Sequence, residues 1–150
     1  MSLSIKQQLT AKLIDILSAK LDELAINIAS TQESRDSDTK SSAGDKFETS
    51  REMAQIELNN LENQADKTAR LLNELKQTNS KTTTTVGYGS LVTTNNGTYF
   101  LSIPYGKLTL DTTEYFVISL ASPIGQNLNG KTVGESFSFN GKRYSILSID

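Results

Sequence analysis

The chain has 150 residues, 36% of them hydrophobic, and a formal net charge of −2, which suits one ordinary domain or two small ones but not a single rich core. Cysteine, histidine and tryptophan are absent, which excludes disulfides, thiolate zinc sites and Ser-His-Asp or Cys-His catalysis, and limits any metal to oxygen ligands, Mg²⁺ or Mn²⁺ first. No apolar run is long enough for a bilayer span or a signal peptide, so a soluble, cytoplasmic chain with no membrane partner is expected, and its charge offers no basic footprint for nucleic acid alone.

The composition breaks near residue 80. Residues 1–79 hold one aromatic (Phe47), one glycine (Gly44), and 13 acids against 10 bases, a net −3. Residues 80–150 hold the other nine aromatics, eight glycines and both prolines, with 4 acids against 5 bases, a net +1. Two domains are expected, 1–79 and 80–150.

In the first, residues 3–29 carry an apolar stripe at helical spacing: Ile5, Leu9, Leu13, Leu17, Leu21, Leu24 and Ile28. Residues 30–44, rich in Ser, Thr and Asp, read as a loop. Ser42-Ala43-Gly44-Asp45 then reads as a capping box that opens a second helix. Along that helix Ala54, Leu58, Leu61, Ala65, Thr68, Leu72 and Leu75 step alternately by four and three, a heptad seam that Arg51 and Phe47 extend backwards. Pairing Leu75 with Ile5, Leu72 with Leu9, Leu61 with Leu21 and Leu58 with Leu24 gives a nearly constant sum of residue numbers. That constancy predicts a monomeric antiparallel hairpin with its apex near residue 41. Asp36, Asp38, Asp45 and Glu48 make its far end acidic. Asp36-x-Asp38-x-Lys40 imitates a calcium loop, but Ser41 and Phe47 stand where that loop needs Gly and Glu. Asp45 and Glu48, three apart, share a helix face and can share one divalent cation. Against this, Asp45 can cap the helix and Glu48 can pair with Arg51.

In the second domain, residues 91–94 and 98–101 flank Asn95-Asn96-Gly97, a hairpin signal. Residues 108–110 and 114–120 read as further strands. Ser122-Pro123 opens a short helix that Gly130 closes, and residues 136–139 and 142–149 form a last hairpin around Asn140-Gly141. The whole reads as α+β, with a bent antiparallel sheet after the hairpin.

Residues 118–131, ISLASPIGQNLNGK, place Ser122, Pro123, Ile124, Leu128, Gly130 and Lys131 in the pattern S-P-I-x-x-x-L-x-G-K. This resembles the C-terminal signature of Gre-type bacterial transcript cleavage factors. Gly44-Asp45-x-x-Glu48 is similar to the G-D-x-x-E at the Gre tip, and the order of hairpin then β domain matches over nearly the whole chain. The resemblance implies a coiled-coil hairpin followed by an FKBP-like β domain. It also implies bacterial RNA polymerase as partner, with the hairpin in its secondary channel and the nascent RNA 3′ end reached indirectly. Asp45 and Glu48 would help hold a Mg²⁺ whose main ligands belong to the polymerase, so that the polymerase, not this chain, cuts backtracked RNA. Ser122, Pro123, Ile124 and Lys131 would serve docking. The sequence departs from the Gre tip in its longer loop and in the extra acids Asp36 and Asp38. Some family members enter the channel and inhibit, which keeps an inhibitory reading open. An FKBP-like isomerase or chaperone is the rival from another class, but a fold does not confer that activity, and no Trp exists for a pocket floor.

Overall fold

The computed structural model describes residues 3–37, 45–78 and 81–150. Helix α1 (Ile5–Ser37) opens on a reciprocal cap. The Gln7 amide donates to Ser4 Oγ (3.2 Å) and the Ser4 amide donates to Gln7 Oε1 (2.9 Å), so two otherwise orphaned donors are satisfied. Leu9, Leu13, Leu17 and Leu24 are buried along one face, with Leu21 and Ile28 half-buried between and beyond them. Ile5, expected opposite Leu75, is 38% exposed, and Lys6 takes the inward position at 2%.

The loop expected at residues 30–44 is shorter than its composition indicates, because α1 runs on to Ser37. No glycine or proline lies between Ser30 and Ala43, and Ser, Thr and Asp cost a helix only about 0.5 kcal/mol each. The inward stripe also continues: Thr31 and Arg35 are half-buried, and Arg35 Nη1 donates to Gln55 Oε1 across the hairpin (2.9 Å).

Helix α2 (Asp45–Lys76) carries the heptad seam as the spacing predicts. Leu58, Leu61, Thr68, Leu72 and Leu75 are buried, and Ala54 and Ala65 are half-buried. Thr68, the polar member, returns its hydroxyl to the Gln64 carbonyl (2.8 Å). Arg51 is exposed, so the seam does not extend to it. The capping box read at Ser42-Ala43-Gly44 lies outside the described residues, as does the side chain of Phe47. The two long helices pack as a hairpin, each buried Leu contributing about 1.5–3 kcal/mol.

Six strands follow: β1 (Leu91–Thr94), β2 (Gly97–Leu101), β3 (Gly106–Leu110), β4 (Thr113–Ile118), β5 (Ser136–Phe139) and β6 (Lys142–Ile149), with α3 (Pro123–Leu128) between β4 and β5. They form one sheet in the order β3-β4-β2-β1-β6-β5. All pairings are antiparallel except β2 with β4, so the sheet is mixed where a wholly antiparallel one is expected. Burial explains the exception. On β4, Tyr115 and Val117 are buried on one face while Phe116 and Ile118 pack on the other, which suits an interior strand. β3 exposes Gly106, Lys107 and Thr109 and takes the edge. The Asn140-Gly141 turn has φ of 51° and 78°, the left-handed pair that a two-residue hairpin needs.

One face of the sheet holds Val92, Tyr99, Leu101, Tyr144 and Ile146 against Leu128 of α3 and Val86. Tyr99 stacks on Phe116 (centroids 5.4 Å apart), and Phe137 stacks on Tyr144 (5.1 Å). The chain divides into two compact units, one being Ile14–Asn73 and the other joining Met1–Leu13 to Glu74–Asp150. In the second unit, Lys12 Nζ donates to the Thr109 carbonyl. Among the described residues, no helix is long and apolar enough to cross a membrane.

Candidate functional site

Asp45 is the first residue of α2, with its side chain outside the described residues, and Glu48 follows three residues later in the same helix. Glu48 is exposed and, among the described residues, makes no ion pair, so the neutralising contact with Arg51 that helix spacing allows is not formed. Glu48, Arg51, Glu52 and Gln55 line an open groove of about 320 Å³. Of these, Gln55 accepts from Arg35 and donates from Nε2 to Asn59 Oδ1 (3.0 Å). Two carboxylates one turn apart are hard oxygen donors and fit part of a Mg²⁺ shell, which wants six oxygens. Among the described residues no group of three or more such side chains is placed to hold a metal ion.

The extra acids stand differently from the expectation. Asp36 lies within α1, not on a loop, and accepts from Arg35 Nε (3.1 Å). Asp38 lies outside the described residues.

Ser122, Pro123, Ile124 and Lys131 belong to the other compact unit, and there the signature residues build local structure. Ser122 caps α3: its hydroxyl accepts from the Gly125 amide (3.1 Å) and donates to the Ser119 carbonyl (2.7 Å). Pro123 occupies the first helical position and is exposed. Ile124 packs against the core that contains Leu128. A Cβ at Gly125 would overlap the Ser119 carbonyl and lie 2.8 Å from Ser122 Oγ, so only glycine fits this turn. Gly130, at φ +83°, donates its amide to the Val86 carbonyl (2.9 Å), and the Lys131 carbonyl accepts from Val86 (2.9 Å). The Lys131 ammonium sits 5.7 Å from the centroid of the Phe137 ring.

Among the described residues three titrations are displaced. Burial lowers the pKa of Lys6, and the nearby Asp150 charge opposes the shift. Burial first, then the hydrogen bond and charge of Tyr144, push Tyr99 up to about 12. Glu135 is lowered by the Thr132 hydroxyl and amide, with help from Lys131 and against a small desolvation cost. Sequence reasoning missed the buried Lys6, whose acceptors are distant in the chain. It also missed the Ser4-x-x-Gln7 box, which the standard capping pattern would have found.

A long helical hairpin leading into a six-stranded mixed sheet with one short helix defines an α+β protein of two structural parts. The chain is similar to the crystal structure of GreA factor homolog 1 (Gfh1) of Thermus thermophilus, at 20% identity over 91% of this chain and 94% of that one, with a TM-score of 0.37. It is also similar to a second structure of the transcription factor Gfh1, at 21% identity over 91% and 92%, with a TM-score of 0.35. No family model matches the chain, and no curated protein does.

Proposed function

We propose that the chain is a Gre-type regulator of bacterial RNA polymerase, a cytoplasmic monomer that inserts its hairpin into the secondary channel and stimulates cleavage of backtracked RNA. The observation that carries this reading is Glu48: an exposed carboxylate without an ion pair among the described residues, one turn into α2 from Asp45. The S-P-I-x-x-x-L-x-G-K stretch and the order of hairpin then β domain support it.

Asp45 and Glu48 would help hold a Mg²⁺ whose main ligands belong to the polymerase, and that ion, when bound, would supply activation of water and stabilisation of charge on the phosphodiester oxygens. The β domain supplies affinity on the polymerase exterior, with Ser122 and Ile124 shaping the α3 turn and Pro123 and Lys131 presented beside it. The polymerase performs the cleavage.

The test is to add the protein to stalled, backtracked transcription complexes and follow short 3′ RNA fragments. Asp45→Ala and Glu48→Ala are each expected to suppress cleavage at least about tenfold while docking is retained, and the double variant to lose little more. Docking with arrested synthesis and no fragments from the unaltered protein would establish an inhibitory channel binder instead. Proline isomerisation without polymerase binding would favour the FKBP-like rival.

A further inference from the structure

The segment that joins α2 to β1 contains the run Lys81-Thr82-Thr83-Thr84-Thr85, at the composition break where a loose connection is expected. Its polar groups are instead tied to separate parts of the chain. The Lys81 carbonyl accepts from Lys6 Nζ at 2.8 Å. Thr82 Oγ1 donates to Asp150 Oδ1 at 3.0 Å. Thr83 Oγ1 lies 3.0 Å from Oγ of the fully buried Ser90. Thr85 bridges Thr132 in antiparallel fashion, and the next amide, Val86, donates to the Lys131 carbonyl (2.9 Å).

Lys6 is the least expected of these partners. It sits in the first turn of α1 and is 2% exposed. Its ammonium also donates to the Asp150 main-chain oxygen at 3.1 Å. Asp150 in turn exchanges both backbone bonds with Leu91, at 3.1 and 2.8 Å. One cation therefore touches α1, the joining segment and the end of the sheet. An ammonium is costly to withdraw from water unless it is paired and hydrogen-bonded, and here two carbonyls take two of its three N–H donors while the Asp150 charge lies nearby. Removing it takes a donor from both carbonyls in a part-buried site.

We propose that residues 81–85 form a closed strap on the β domain and that Lys6 is its latch, so that opening at this one cation releases these residues while the sheet stays folded. The strap is a local opening unit, with a free energy below that of global unfolding. This holds whatever the polymerase experiment shows.

Limited trypsin digestion of the full chain, with the cut after Lys81 quantified by peptide mass spectrometry, tests it. Cleavage of a transiently opened segment follows the population of the open form, so Lys6→Met is expected to speed the cut after Lys81 by about tenfold. The cut after Lys107, in edge strand β3, is expected to keep its rate. Thr82→Val and Thr83→Val each remove one tie while leaving Lys6 and its two carbonyl acceptors in place, and are expected to give the same selective effect at smaller size, which covers a Lys6→Met protein that fails to fold. Equal acceleration at Lys81 and Lys107 would overturn the proposal, since the ties would then only add global stability. So would a cut after Lys81 in the unaltered protein as fast as in a free peptide, or no change in any of the three variants.

Discussion

Gly125 and Ser122 show how a signature residue can be explained by folding before function is invoked. The chain turns from Ser119 into α3 so tightly that a methyl at position 125 would collide with the Ser119 carbonyl, a backbone atom that cannot swing away. Gly125→Ala is expected to destabilise the β domain by about 1–3 kcal/mol, as overpacking of a filled site does. Thermal melts of the whole protein would measure it, and an unchanged melting temperature would show that the turn can relax. The sequence marks Ser122, Pro123 and Gly130 because their types are those of a helix start and stop. It gives no sign of Gly125, whose need arises from a carbonyl six residues back, or of Lys6, whose acceptors lie 75 and 144 residues away. Such requirements belong to the folded state. Asp45 and Glu48 are legible for the opposite reason: three-residue spacing on a helix is a local rule, and α2 obeys it.

At the scale of elements, the strictness of a pattern decides how much can be read. The α2 seam repeats by four and three without a break, and all seven of its positions are buried or half-buried. The α1 stripe is less regular: its pattern begins at Ile5, whereas the folded chain buries Lys6 instead. The helix also outlasts the stripe, to Ser37, because Ser, Thr and Asp are weak evidence against a helix when no glycine or proline accompanies them. Strand positions follow from turn residues and alternation, but the parallel β2–β4 pair does not, because it depends on which strand is buried on both faces. Leu61, 7% exposed at mid-seam, provides the quantitative check on the hairpin. Leu61→Ala is expected to cost about 2–5 kcal/mol, and Met53→Ala, on the exposed side of the same helix, less than about 0.5 kcal/mol. Chemical denaturation of the two variants distinguishes a packed seam from two independently solvated helices, for which the costs would be alike.

For the whole molecule, the composition break and the compact units pose different questions. Composition changes near residue 80, where the aromatic and glycine content rises. The unit that contains the sheet also takes in Met1–Leu13 and the end of α2 from Glu74. Leu9 and Leu13 are fully buried, Leu75 is 1% exposed, and Lys6 reaches the strap and Asp150. A fragment of residues 80–150 lacks all four. At about 1.5–3 kcal/mol for each buried Leu, the three leucines are worth roughly 5–9 kcal/mol, comparable with the whole stability of a small domain. The fragment is therefore expected to lose the cooperative melt of the intact protein, even though every strand is present. Residues 14–73 keep Leu17, Leu24, Leu58, Leu61, Thr68 and Leu72 together, and are expected to remain helical alone. Circular dichroism melts of both fragments, with hydrogen exchange on the intact chain, make the comparison. If 80–150 melts cooperatively at the temperature of the whole protein, the helix roots are accessories and the break in composition is also the break in folding. If it does not, the start of α1 and the end of α2 belong to the folding unit that contains the sheet.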